Sequence, residues 1–351
     1  MEIVVPTKNQ NPKVTFGFVN CNRLHYLKSC VESLIDCTSD YDNKEIIIVD
    51  NASIEEGTEE YLLEKEKMGY RVFRSEVRDP SNEYAKALNL IARESTGDLV
   101  CPVTGDVQFV VRGTWLSQYA NFFKSHWDNI GCISLDAQRA VRLVQHEPFR
   151  VFSQEEFGKE FRFFIDLKRR PVAGNGLAFY RRDLLEKIYP WHESNSSHDG
   201  GDDSENKMWK KVESLIESRE LGDIFHIVPQ VPVAVSICTD RRGSSAIVRG
   251  NSRYGEYWPP KEEFRYYKIH EYDDIIKRRD ENESRPLSIE MITEALGWNL
   301  PIDEMGKWKK TALSPEICTG DQVFHLDNPE TVEDKTIERI EDDHITEWLC
   351  E

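Results

Sequence analysis

The chain has 351 residues, 39% of them hydrophobic and 11% aromatic, enough for a substantial core and for two domains or one large domain with an appendage. Its formal net charge of −18 excludes a surface that is basic throughout, of the kind that holds nucleic acid or anionic membranes. No apolar run nears the roughly 18–20 residues that cross a bilayer, and the opening MEIVVPTKNQNPK lacks a basic stretch followed by an apolar one, so stable membrane insertion and a secretory signal are not expected and the expected location is cytoplasmic.

The first predicted element is Val14-Thr-Phe-Gly-Phe-Val19, a β-rich run. Leu24, Leu27, Val31, Leu34 and Ile35 then recur at helical spacing. Glu45 to Val49 is a short apolar strand running into Asp50, and Thr58 to Met68 is a second helix. Tyr70 to Phe73 is a third strand. Asn82 to Glu94 sets Tyr84, Leu88 and Ile91 on one helical face, with Gly97 beyond as a stop signal, and Leu99 to Val103 is the fourth strand. The order β-α-β-α-β-α-β with apolar strands predicts a mostly parallel sheet covered on both faces by helices. In such sheets ligands bind beyond the carboxyl ends of the strands. Asn20-Cys21-Asn22-Arg23, Asp50-Asn51 and Thr104-Gly105-Asp106 stand there.

Further on, Ile130 to Leu135 and Gly176 to Tyr180 read as strands, and Trp209, Val212, Leu215 and Ile216 mark a helix face. Ile224 to Ile237 is β-prone and broken by Pro229 and Pro232. From about residue 261 the chain turns charged and irregular. Glu262 to Glu351 holds 24 acidic and 11 basic residues, a balance of −13, which leaves −5 for the first 261. This predicts a catalytic unit over 1–260 and an acidic, mainly helical extension over 261–351. Eight cysteines form no CxxC pair, and several lie in apolar runs, which predicts reduced structural thiols rather than a zinc cluster or disulfide framework.

Three acidic positions stand out. Asp50 follows a strand where an acid can meet a nucleotide's ribose or base, or else build a turn that caps the next helix. The glycine fingerprint of a dehydrogenase is missing after the first strand. Asp106 follows the fourth strand, where one carboxylate with substrate phosphates can hold Mg2+ or Mn2+, or can simply occupy a turn after Gly105. Asp202 and Asp203, in HDGGDDSE, can cap the helix that follows or supply a general base.

From Val14 to about Trp258 the chain resembles the family 2 glycosyltransferases of GT-A fold. The resemblance lies in VTFGFVNCNRLHYLKSCVESL, EIIIVDNAS, NEYAKALNLIARESTGDLV, AGNGLAFYRRDLLEKI and GGDDSENKMWKKV, in that order. It implies an inverting transferase that uses a nucleotide-diphosphate sugar, with UDP the expected nucleotide and Mn2+ or Mg2+ as cofactor. Asn20, Arg23, Asp50, Asn51, Lys86, Thr104, Asp106 and Asn175 would bind the donor, Asp106 the metal, and Asp203, beside Asp202, would act as base. Where the family carries an Asp-x-Asp motif this chain has Thr104-Gly105-Asp106, so Asp106 alone would carry the protein's share of the metal. Where a His often follows the last core strand, Cys238-Thr-Asp240 stands, with Asp240 as a substitute ligand. The acceptor stays open among glycan, lipid-linked glycan, protein and modified nucleic acid. The competing readings are a nucleotidyltransferase of similar fold and a non-catalytic sugar-nucleotide binder.

Overall fold

A computed structural model of the protein describes residues 11–79, 82–135, 149–151, 163–166, 177–193, 204–222, 224–229, 233–236 and 269–280, with short strands at 266–267, 298–299, 314–315, 317–319 and 322–324. The strands are β1 (Val14–Asn20), β2 (Lys44–Asp50), β3 (Arg71–Arg74), β4 (Leu99–Thr104), β5 (Val107–Phe109), β6 (Val111–Arg112), β7 (Ile130–Ser134), β8 (Phe149–Val151), β9 (Phe163–Asp166), β10 (Ala178–Arg181), β11 (Phe225–Pro229) and β12 (Ala234–Ser236). The helices are α1 (Leu24–Cys37), α2 (Thr58–Lys67), α3 (Glu83–Glu94), α4 (Trp115–Ser125), α5 (Arg182–Ile188), α6 (Ser204–Glu217) and α7 (Tyr272–Asp280).

Nine strands form one sheet in the order β3-β2-β1-β4-β10-β7-β11-β9-β8. The block β3-β2-β1-β4 is parallel throughout, as its sequence predicts. Beyond it β10 and β9 run backwards, and the other seven strands share one direction. Side chains alternate across a strand, so each strand feeds two cores. Phe16, Phe18, Ile46, Ile48, Leu99, Cys101 and Val103 face the core built with α1, α2 and α4. Val19, Ile47, Val49 and Val100 face the core built with α3, α5 and α6. Gly17 belongs to this second face: a Cβ there would lie 2.3 Å from Ile91 Cγ2, so a bare backbone is what lets α3 settle on β1.

Helix α4 was not anticipated, although Trp115, Leu116, Tyr119, Ala120, Phe122 and Phe123 are all buried at helical spacing. Trp115 anchors it, donating its indole N–H to the Cys37 carbonyl at 2.7 Å. The segment 269–280 returns to the same core. His270–Glu271 pairs in parallel with β6, the His270 N–H donates to the Val110 carbonyl at 2.8 Å, and Tyr272 and Ile275 are buried. Arg112 ties the junction, gripping Asp36 with two nitrogens and reaching Glu271 at 3.2 Å. Cys21, Cys30, Cys37, Cys101 and Cys132 are free thiols. Among the described residues no helix is long and apolar enough to cross a membrane.

Candidate active site

The parallel register brings the tips of β1, β2 and β4 to one edge. Asn20 is opposite Asp50, and Val19 is opposite Thr104. The chain leaves β1 through two successive left-handed residues, Asn22 (φ 54°) and Arg23 (φ 53°), and leaves β2 through a third, Ala52 (φ 50°). Each costs about 1–2 kcal/mol for a residue with a Cβ, so the neighbouring structure has to hold them. A web between the two loops does so. The Asn22 N–H donates to Ser53 Oγ (2.6 Å), and Asn22 Oδ1 accepts the amides of Ile54 (2.8 Å) and Glu55 (3.3 Å). Glu55 Oε2 accepts the Leu24 N–H at 2.9 Å, capping α1 where Arg23 supplies no side-chain cap.

Asp50 is the hub and is 4% exposed. Its Oδ1 accepts Asn20 Nδ2 and Ser53 Oγ, both at 2.6 Å, and its Oδ2 accepts the Ser53 N–H at 2.9 Å. Asp50 therefore builds a turn, although α2 begins after Gly57 without a side-chain cap. The Asn51 N–H donates to the Asn20 carbonyl at 2.8 Å, and Asn51 is buried. Ser75, just past β3, donates its N–H to the Asp50 carbonyl at 2.8 Å, bringing the third loop to the same edge.

Thr104-Gly105-Asp106 is a half-buried turn between β4 and β5. A Cβ on Gly105 would lie 2.9 Å from the Val19 carbonyl oxygen, so glycine lets this turn press against the end of β1. Burial pushes the Cys30 thiol well up, and the Asp106 carboxylate adds to the rise; the Cys30 thiol, on the buried side of α1, lies 3.7 Å from the Thr104 carbonyl at the start of this turn. β12 runs antiparallel to β5 and ends with Ser236 opposite Val107, next to Asp106. For a divalent cation, Asp106 is a hard oxygen donor of the right type, with the Thr104 hydroxyl two residues before it. Among the described residues no three His, Cys, Asp or Glu side chains converge. One carboxylate suffices where substrate phosphates and water complete the shell, so the residues fit a metal that arrives with its substrate.

Lys86, in the first turn of α3, places its ammonium 2.5 Å from Asp79 on the exposed loop before the helix. Arg78 carries no signal in the sequence pattern. It forms a fork with Glu83 at 2.7 and 2.8 Å. Burial pushes the Cys21 thiol up, and the Arg78 cation works against that rise. Asn175, Asp202, Asp203 and Asp240 lie outside the described residues. α6 begins at Ser204, directly after Asp203 in the chain.

Residues 16–189 match the family model described as glycosyl transferase family 2. Over 135 residues the chain is 30% identical to the uncharacterized protein y4gI of Sinorhizobium fredii (strain NBRC 101917 / NGR234), a match covering 38% of this chain and 14% of that protein. Similar solved structures include S. aureus TarS, at 16% identity and a TM-score of 0.45, covering 64% of this chain and 60% of that one. Another is the mannosyltransferase PcManGT from Pyrobaculum calidifontis in complex with GDP-Man and Mn2+, at 20% identity and a TM-score of 0.41, covering 68% of this chain and 61% of that one. The matches span less than two thirds of the length of each of these proteins.

Proposed function

The chain belongs to glycosyl transferase family 2 through its residues 16–189, and from that premise we propose that it transfers a sugar, with inversion, from a nucleotide-diphosphate sugar to an acceptor hydroxyl. The observation that carries the reading is the meeting of Asn20, Asp50 and the Thr104–Asp106 turn at one carboxyl edge of the parallel block. Ligands of open α/β sheets bind at such an edge. The donor's nucleotide would lie along Asn20, Arg23, Asp50 and Asn51, with UDP as the first nucleotide to try. Asp106, with Asp240 as a second candidate, would hold Mn2+ or Mg2+ beside the diphosphate. Such an ion, when bound, neutralises charge on the departing phosphates.

Asp203, flanked by Asp202, would take the proton of the acceptor hydroxyl. The acceptor oxygen then bonds to the anomeric carbon from the face opposite the diphosphate. The bond from that carbon to the phosphate oxygen breaks, and its electron pair leaves with the nucleoside diphosphate. A positioned base contributes roughly 10²–10⁴ in rate. In this reading residues 1–260 carry the chemistry and 261–351 form an acidic extension. The acceptor classes remain glycan, lipid-linked glycan, protein and modified nucleic acid.

The test is to incubate the protein with a panel of nucleotide sugars and Mn2+ and to measure nucleoside diphosphate release. Release that disappears in Asp203→Asn while donor binding persists supports the transferase with its base. Binding without release, across donors and acceptors, overturns it in favour of a sugar-nucleotide binder. Pyrophosphate release from a nucleoside triphosphate and a sugar phosphate points to a nucleotidyltransferase instead.

A further inference from the structure

A cavity of about 340 Å³ lies where α3 meets the start of α6. Its size is at the lower end of small-molecule sites. Asn89, Trp191, His192, Glu193, Lys207 and Lys211 line it. One wall is held firmly. Asn89, 3% exposed, donates from Nδ2 to the Trp191 carbonyl (2.9 Å) and to Glu193 Oε1 (2.8 Å), and its Oδ1 accepts the Trp191 N–H (2.7 Å). The residues that frame this wall are thus fixed from α3 and need no ligand to order them.

The α6 side carries Lys207, Met208 and Lys211. Lys207 and Lys211 are four residues apart and so share one face of α6. Lys207 Nζ stands 3.5 Å from His192 Nδ1. Lys211 donates to the Tyr189 carbonyl at 2.9 Å, and among the described residues no carboxylate pairs with it. Since that partner is a carbonyl, an anion beside Lys211 would add a charge-assisted bond, and that charge would offset the burial that pulls its ammonium below the ordinary value. Glu193 is the one acid in the lining, and Asn89 already engages it.

We propose that this cavity binds a phosphate or carboxylate group carried by the acceptor. The assignment to the acceptor rests on the glycosyltransferase reading above. Lys207 and Lys211 lie in the first two turns of the helix that begins directly after Asp203. At 1.5 Å rise per residue they stand roughly 5 and 10 Å along the axis from its start. An acceptor anchored there by its charge reaches back to the start of α6 over about the length of one sugar unit.

The experiment is calorimetric titration of the full chain with glycerol 1-phosphate, with glycerol, and with UDP. Glycerol 1-phosphate is expected to bind, and glycerol is not. Lys211→Gln should weaken glycerol 1-phosphate roughly ten- to a hundredfold, the range for a hydrogen bond to a charged group, and Lys207→Gln should weaken it too. Lys210→Gln, on an exposed neighbouring position, should not. UDP should bind wild type and Lys211→Gln alike, and saturating UDP should leave the glycerol 1-phosphate affinity unchanged. The proposal is overturned if glycerol 1-phosphate binds no better than glycerol, if Lys211→Gln with an intact circular dichroism spectrum binds it as wild type does, or if UDP displaces it. Were no nucleoside diphosphate to bind while the Lys211-dependent binding persisted, the nucleotide-sugar reading would fall and the acceptor assignment with it, leaving the anion site itself established.

Discussion

Ile275 lies in the charged stretch beyond residue 261, yet it is 0% exposed and shares a core with Trp115, Leu116 and Tyr119. Its companion Tyr272 is 3% exposed and donates its hydroxyl to Gln118 Oε1 at 3.1 Å. Changing Ile275 to Ala removes three carbons, about 0.8 kcal/mol each in transfer terms. With the cavity left behind, the cost reaches about 2–5 kcal/mol. For a domain of this size that corresponds to roughly 5–15 °C in melting temperature. The assay is urea and thermal unfolding of the full chain, followed in parallel by tryptophan fluorescence and circular dichroism. One coincident transition, shifted by that amount, is expected for Ile275→Ala, with Asp273→Ala as an exposed control staying within about 0.5 kcal/mol. If Ile275→Ala also stays within that margin, or if its effect is confined to a separate minor transition, α7 is an independent appendage and the docking described above is wrong.

Two further outcomes follow from the sheet's edges. Gly105→Ala puts a methyl 2.9 Å from the Val19 carbonyl, a backbone atom that cannot swing aside, so the turn bearing Asp106 must shift by a few tenths of an ångström. Nucleoside diphosphate release should fall about tenfold or more, because small misplacements near chemistry are costly, and unchanged release would show that Asp106 does not act there. At the opposite end of the sheet, burial of Glu45 opposes its ionisation. Hydrogen bonds from Thr15 and Thr96, with Lys13 nearby, outweigh that and hold its carboxyl below the ordinary value. A lowered folded-state value means stability that is present above the unfolded value of about 4.3 and is lost as pH falls through the folded one. The stability gap between wild type and Glu45→Gln should therefore be widest near neutrality and close below about pH 4; a gap that widened with acid would refute it.

The parallel half of the fold was legible because each of its elements carries its own periodicity, from Val14 to Thr104. Where the sequence fell silent, long-range geometry was in charge. Helix α4 had a readable apolar face, but it follows two short strands, β5 and β6, whose partners come from residues 233–236 and 269–271. The docking of α7 has no local signature, since Tyr272 and Ile275 sit among acids and bases and their burial is decided by α4 far upstream. At the site, the positions of Asn20, Asp50 and Asp106 at strand ends were legible from pattern alone. Arg78 was not, because its fork with Glu83 joins an irregular loop to the first turn of α3, and no periodic pattern marks such a pair. Asp50 shows a different limit. Its position was clear, but only the coordinates reveal both oxygens engaged by Asn20 and Ser53.

The web that joins Asn20, Asn22, Asp50, Ser53 and Glu55 also bears on how this edge can evolve. Each member satisfies a group on the other loop, so a lineage that loses one leaves a polar partner stranded and a left-handed residue without support. Drift at these five positions should be correlated, with changes arriving in pairs across the two loops. Exposed Ile54, between two of them in the chain, is free to vary alone.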